Sequence, residues 1–170
     1  MPRIINEEYE QVDVRRLKTH SRNARQGDIG SIHESITENG FYGACVVQKS
    51  TSTVLVGNHR LMAAKQAGLD TVPVIWVDVD DDEALRILLA DNRTNDVASY
   101  DDNKLAELLA DLAGTERGLA GTGFSPESLD DIIQSLAGPV FEPASIDEQG
   151  RLDEKAKVEC PECGHSFSPS

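Results

Sequence analysis

The residues with the clearest chemical potential form the segment Gly57-Asn58-His59-Arg60. Apolar residues before it indicate a short strand, and the pattern after it predicts a helix that begins at Asn58 and stops at Gly68. Asn is a favourable N-cap residue, and glycine commonly ends a helix. A helix N-terminus presents unpaired backbone N–H groups that attract anions. The segment therefore predicts a phosphate-binding turn, although an ordinary strand-to-helix turn with solvated side chains fits it too.

A second group of potential ligands lies near the C-terminus, in Cys160-Pro-Glu-Cys163-Gly-His165. Two thiols three positions apart can close on one metal ion, and the glycine lets the turn fold back. A structural zinc site needs four ligands, whereas this segment supplies Cys160, Cys163 and at most His165. Cys45 is a poor fourth ligand because its apolar strand indicates a core position. We therefore predict a Zn²⁺ knuckle that is either completed between chains or only partly formed.

The elements around the Gly57 turn alternate between strand and helix patterns. We expect a strand from Val12 to Leu17, a helix over 28–38, a strand over 45–49 and a strand ending near Asp78. A further helix reaches Arg93. Leucine and isoleucine spacing then predicts amphipathic helices over 102–112 and from Ser125-Pro126 onward. The glycine-rich residues 113–124 between them are interpreted as a flexible connector, because no strand precedes them and no Gly-Lys-Ser/Thr follows.

This order of elements resembles the nucleotide-binding domain shared by ParB proteins and sulfiredoxin. The resemblance covers about residues 10–95 and is carried by the Gly57 turn, its small-residue helix and the strand Thr71–Val77. It implies an α+β fold in which helices flank a mixed sheet. An acidic all-α extension at 96–137, a flexible linker at 138–157 and a zinc-knuckle-like tail at 158–170 complete the expected organisation.

The family resemblance also implies roles for individual residues. In ParB proteins the turn cradles nucleotide phosphates, which here corresponds to Gly57, Asn58, His59 and Arg60. Asp91-Asn92-Arg93 looks like the acidic-Asn motif that assists metal and triphosphate, so Mg²⁺ is expected to accompany the nucleotide. Asn92, Arg93 and Arg25 complete the expected nucleotide-binding set. Sulfiredoxin carries its reactive cysteine at the position of Asn58, which excludes thiol chemistry of that kind here.

Three functions are compatible with these residues. The first is a nucleotide-binding switch for a CTP- or ATP-type triphosphate, with slow or absent hydrolysis, linked to DNA transactions. The second is a metal-dependent nuclease, because the chain also resembles short phage-borne ParB-like proteins labelled nucleases; its catalytic candidates are His59 and Asp91. The third is an adaptor that binds a protein partner or a second copy. The acidic residues 78–82 are interpreted as a solvated loop before a helix.

Charge is divided unevenly along the 170 residues, whose net charge is −14. Residues 1–77 carry nine Lys/Arg and eight Asp/Glu, whereas the remainder carries seven and twenty-two. DNA should therefore meet the N-terminal half, because the acidic half repels a polyanion. The acidic helices after residue 100 are poor candidates for reading bases, which argues against a sequence-reading partition protein. Three cysteines, no apolar run long enough to span a membrane and no signal-like start predict a cytoplasmic protein.

Overall fold

The computed structural model describes residues 5–138 and 158–167. The chain divides into two compact units, residues 1–136 and 137–170. Residues 5–138 form the strands β1 (Asn6–Asp13), β2 (Lys18–Thr19), β3 (Cys45–Gln48), β4 (Thr53–Val56) and β5 (Thr71–Val77). They also form the helices α1 (Ile29–Asn39), α2 (Asn58–Gln66), α3 (Asp81–Asp96), α4 (Asp102–Ala113) and α5 (Pro126–Ala137). None of the described helices is both long enough and apolar enough to cross a membrane.

The five strands form one mixed sheet in the order β1-β5-β3-β4-β2. β1 is antiparallel to β5 and β3 is antiparallel to β4, whereas the pairs β3–β5 and β2–β4 are parallel. Parallel neighbours need a crossover, and β4 with α2 supplies the one between β3 and β5. Only Gly57 separates β4 from α2. The end of β4 therefore fixes where the N-terminus of α2 lies.

Helices cover both faces of the sheet, which is why its three central strands, β3, β4 and β5, are mostly apolar. The larger apolar cluster joins Val47 and Val74 of the sheet to Ile36 of α1 and Leu61 of α2. On the other face Leu55 and neighbouring residues pack against α3. Trp76, the single tryptophan of the chain, is buried, and its indole N–H donates to Glu10 Oε2 at 2.9 Å. The predicted mixed sheet with flanking helices is confirmed.

The expected strand from Val12 to Leu17 is wrong in extent. β1 ends at Asp13, and residues Val14–Arg16 form a short 3₁₀ helix before β2. The Asp13 carboxylate accepts the Arg15 backbone N–H at 2.8 Å and so caps that helix. Hydrogen bonding from the Arg15 side chain lowers the Asp13 pKa to about 2. Val14 and Leu17 are still buried, because a tight turn can direct apolar side chains inward as a strand does.

The two predicted helices after residue 100 are confirmed as α4 and α5, which share a small core with Leu119 of the intervening loop. The interpretation of that loop as a free connector is wrong. Gly121 N–H donates to Glu34 Oε1 and Gly121 C=O accepts from Asn39, both at 3.0 Å. Arg117 donates to the Glu38 carbonyl at 2.6 Å, which satisfies one of the unpaired carbonyls at the end of α1. The loop therefore lies folded against α1.

In the second unit, residues 158–167 form a hairpin. β6 (Val158–Glu159) pairs antiparallel with β7 (Ser166–Phe167), and the potential metal ligands lie in the turn between them. The predicted linker at 138–157 lies, apart from Gly138, outside the described residues.

Candidate functional site

The turn between β4 and α2 depends on a glycine. Gly57 is the N-cap residue and has a φ of 92°, a left-handed conformation that side chains disfavour. A Cβ atom at Gly57 would also lie 3.3 Å from the sulfur of Cys45 beneath it. Gly57 has no side chain with which to cap the helix, so the first-turn N–H groups of α2 stay open. Open N–H groups at a helix start favour an anion, and phosphate binding at this turn stays a prediction.

The prediction that Asn58 caps α2 is wrong, because Asn58 is the first helical residue and its side chain points elsewhere. That side chain is buried, accepts the His20 backbone N–H at 2.7 Å and donates to the Val54 carbonyl at 3.1 Å. It therefore joins the loop after β2 to the end of β4. Asn58 can offer a phosphate only its backbone N–H.

Arg60 is half-buried in the first turn of α2. Its guanidinium has no hydrogen-bond or ion-pair partner among the residues that the structure describes, and it lies close to Gly43. Burial raises the pKa of the Cys45 thiol to about 11, and the positive charge of Arg60 opposes this shift. Cys45 is therefore a neutral core thiol. Arg60, in contrast, is a cation available to an anionic ligand.

His59 is held by the loop that precedes α1. Its Nε2 accepts the backbone N–H of Gly27 at 3.1 Å, which places the ring proton of neutral His59 on Nδ1. The ring lies so close that a Cβ at Gly27 would be 2.7 Å from Nδ1. The Nε2 lone pair of His59 is thus already used by Gly27. The catalytic role suggested by the sequence stays a prediction.

The loop over residues 20–28 forms a wall of the site and is fixed at further points by α3. Asn92 donates to Asn23 Oδ1 at 3.0 Å, and Arg25 pairs with Asp96 at 3.2 Å. Arg25 therefore lies in the site but already has an anionic neighbour. The Asn92 side chain therefore helps to hold this loop in place, a role that sequence reasoning did not reveal.

Two helix N-termini meet at this site, and they differ in how they are capped. At α1 the Asp28 carboxylate accepts the N–H groups of Gly30 and Ser31 and the Ser31 hydroxyl. These bonds, first that of the Ser31 side chain, lower the Asp28 pKa. The N-terminus of α1 is thus already neutralised by its own carboxylate, whereas that of α2 is open.

A cleft of about 810 Å³ connects these features. It includes seven of the eight predicted nucleotide-binding or catalytic residues and lacks Arg93, which is exposed at the end of α3. Sequence reasoning missed further lining residues, because they come from α1 and the loops on either side of it, from α3 and from the extension rather than from one local motif. These additional lining residues are Asn23, Asp28, Ser31, Ser35, Phe41, Tyr42, Asn95, Tyr100, Thr122 and Gly123.

Asp91 is half-buried in the cleft, and its carboxylate has no partner among residues 5–138. Within the described ranges, no group of three or more His, Cys, Asp or Glu side chains is arranged to hold a metal ion. A cation at Asp91 would therefore need further oxygen ligands from the bound molecule, which is how Mg²⁺ usually accompanies phosphates.

Comparison with known proteins identifies this architecture. The family model described as ParB N-terminal domain matches residues 3–93, which include the Gly57 turn, α2 and Asp91-Asn92-Arg93. The chain belongs to the ParB N-terminal domain family. A chromosome-partitioning protein ParB from Caulobacter vibrioides (strain NA1000 / CB15N) is 33% identical over 94 residues, covering 52% of this chain and 30% of the relative. The matched part is thus less than a third of that ParB.

Solved structures show the same similarity at the level of the fold. The C-terminally truncated chromosome-partitioning protein ParB from Caulobacter crescentus, complexed with CTP-gamma-S, is similar with a TM-score of 0.65 and 23% identity. The similarity covers 78% of this chain and 81% of that ParB chain. Sulfiredoxin from Arabidopsis thaliana aligns with 49% of this chain and 98% of its own, with a TM-score of 0.40 and 19% identity. The predicted family resemblance is confirmed.

Proposed function

We propose that the cleft binds a nucleoside triphosphate of the CTP or ATP type, with its phosphates at the N-terminus of α2. One observation carries the proposal: the uncapped first turn of α2 lies beside Arg60, a cation with no partner in the described part of the chain. Open N–H groups, the helix dipole and a guanidinium all favour the same anion. In a turn that binds no anion, a half-buried arginine would pair with a carboxylate, whereas Arg60 has no such pair among the described residues.

Three further observations support a nucleotide rather than a free phosphate ion. The volume of the cleft lies within the roughly 300–1,000 Å³ typical of small-molecule sites. Aromatic side chains at its rim, Tyr42 and Tyr100, offer surfaces for a base. A ParB protein of similar fold forms a complex with CTP-gamma-S. Mg²⁺ arriving with the triphosphate would be held by phosphate oxygens and the Asp91 carboxylate.

We further propose that nucleotide binding serves a DNA transaction, with DNA on the basic N-terminal half. Lys18 and Arg22 are exposed and have no ion pair within residues 5–138, whereas Arg15 and Arg16 pair with acidic neighbours. The two free cations lie together at a second, smaller cleft beside β2. Binding through phosphate contacts of this kind should weaken steeply as the salt concentration rises.

Isothermal titration of CTP, ATP, GTP and UTP with Mg²⁺ tests the nucleotide site, with and without a short DNA duplex. We expect selective binding that Arg60→Ala weakens by about 1.5–3 kcal/mol, or roughly ten- to a hundredfold in Kd. The melting temperature without ligand should not fall, because Arg60 has no internal partner to lose. Arg86→Ala is the matched control, since it removes the same charge from an exposed pair with Asp82 outside the cleft.

Two results would contradict the nucleotide proposal. The first is the absence of heat with all four nucleotides in the presence of DNA. The second is equal affinity of the Arg60→Ala and Arg86→Ala proteins, which would mean that any nucleotide binds away from the α2 turn.

A further inference from the structure

The C-terminal hairpin holds two cysteines in a preformed turn. The backbone N–H of Cys160 donates to the His165 carbonyl and that of Gly164 donates to the Cys160 carbonyl, both at 2.9 Å. Gly164 has a φ of 72°, the left-handed conformation that lets the chain fold back here. The hairpin strands β6 and β7 hold this turn from both sides. The Cys-Pro-Glu-Cys-Gly-His segment is therefore a defined turn.

Two cysteine thiols of this turn, Cys160 and Cys163, lie three positions apart in the sequence. Thiolates at this spacing are typical zinc ligands of Cys-x-x-Cys turns. Cys160 and Cys163 are free thiols, the first half-exposed and the second exposed. Zinc binds such thiolates in tetrahedral sets of four ligands.

The described part of one chain does not supply four ligands. No third His, Cys, Asp or Glu side chain joins the two thiols in a metal-binding group within residues 158–167 or 5–138. The remaining cysteine, Cys45, is fully buried in the core of the sheet. An ion held by Cys160 and Cys163 alone would keep half of its coordination positions open to water. A second copy of the same hairpin offers the two missing thiolates.

We propose that two copies of this chain share one Zn²⁺, with Cys160 and Cys163 of each copy as its four ligands. Such a contact uses the same surface on both chains, as the interfaces of most symmetric dimers do. The exposed side chains of Glu159 and Glu162 then approach their counterparts, and each whole chain carries a charge of −14. Without zinc the copies repel one another, so the metal controls the association. Added salt should strengthen the zinc-dependent dimer by screening this repulsion.

The test uses the full chain, reduced, stripped of metal with a chelator and titrated with Zn²⁺ against a chromophoric competitor. We expect saturation at one zinc per two chains, together with a doubling of mass in sedimentation. Co²⁺ in place of zinc should give the intense sulfur-to-metal absorption and the visible bands of a tetrahedral four-thiolate site. One zinc per monomer, or no zinc binding by the reduced protein, would overturn the proposal.

Two variants separate the proposed ligands from their neighbours. Cys163→Ser should abolish both zinc binding and the zinc-dependent dimer while the nucleotide site of the first unit is unaffected. His165→Ala should bind zinc with the same stoichiometry, because four thiolates already complete the site. Loss of zinc in His165→Ala, or a dimer that persists in Cys163→Ser with zinc, would contradict the shared four-thiolate site.

Discussion

Asn58 ties the turn at Gly57 to two other segments of the chain. Its amide accepts from the backbone of His20 and donates to the carbonyl of Val54, and the side chain is 6% exposed. The bond to Val54 is buried and the bond to His20 is partly buried, and an unpaired partner costs more there than at the surface. The residue that the sequence assigns to helix capping therefore has a structural role in shaping the cleft.

Substitution of Asn58 by serine distinguishes these two roles. Serine is as good an N-cap as asparagine, but its side chain is too short to reach both His20 and Val54. We expect Asn58→Ser to lower the free energy of unfolding by about 1–3 kcal/mol, because one buried and one partly buried backbone group lose their partner. Urea denaturation measures this change, with Asn103→Ser on the exposed surface of α4 as the control. A value near zero would restore the capping role.

At the level of the individual residue, the sequence was most informative about Gly57 and Arg60. Their roles follow from a local pattern, because a glycine between a strand and a helix and a cation in the first turn are neighbours in sequence. His20, which donates to Asn58, and Gly27, which donates to His59, lie 38 and 32 positions away from them. No local propensity reports such pairs, so the helix-capping rule gave the wrong role for Asn58.

At the scale of elements, the site depends on how the loop before α1 meets the start of α2. The His59 ring lies against Gly27, and one hydrogen bond joins them at 3.1 Å. The close approach of the His59 ring therefore favours glycine at position 27, since a Cβ there would lie within 3 Å of two ring atoms. This contact sets the distance between two walls of the cleft.

A double-mutant cycle tests the contact between Gly27 and His59. Gly27→Ala should destabilise the protein by about 1–3 kcal/mol, because the ring must move to admit the methyl group. In a His59→Ala background the same substitution should cost much less, giving a coupling energy of at least about 0.5 kcal/mol. Urea unfolding of the four proteins supplies every term. Equal costs in both backgrounds would mean that the two residues do not pack together.

The elements themselves were predicted unevenly. The order of helices and strands, including α4 and α5, follows from apolar periodicity and is confirmed. Apolar periodicity does not predict the boundary between β1 and the 3₁₀ helix. Val12, Val14 and Leu17 are buried although the strand ends at Asp13, so their pattern looks the same as that of a continuous strand. The glycine-rich loop was misjudged because its partners, Glu34 and Glu38 on α1, are more than 75 residues distant in sequence.

On the scale of the whole molecule, the helical extension is joined to the family domain through that loop. Gly121 lies against α1, where a Cβ would come within 2.7 Å of the Glu38 Cβ. Thr122 and Gly123, directly after it, line the cleft. The cleft is therefore built partly by residues beyond 93, where the family match ends.

Two glycines of this loop form a matched pair for testing that junction. Gly121 and Gly123 have φ values of 74° and 81°, so alanine is strained by a similar amount, about 1–2 kcal/mol, at each. Only Gly121 has atoms within 4 Å of the added methyl group. We expect Gly121→Ala to be the more destabilising by about 1–3 kcal/mol in thermal unfolding. Similar losses in the two variants would show that the loop does not pack on α1.

The buried indole of Trp76 has a practical consequence for spectroscopy. Because the chain contains a single tryptophan, its intrinsic emission comes from one position, on β5, hydrogen-bonded to Glu10 on the neighbouring strand. Separation of β1 from β5 would expose this fluorophore and shift its emission to longer wavelength. The protein thus carries its own optical probe of the sheet edge, so folding of the sheet can be followed without an attached dye.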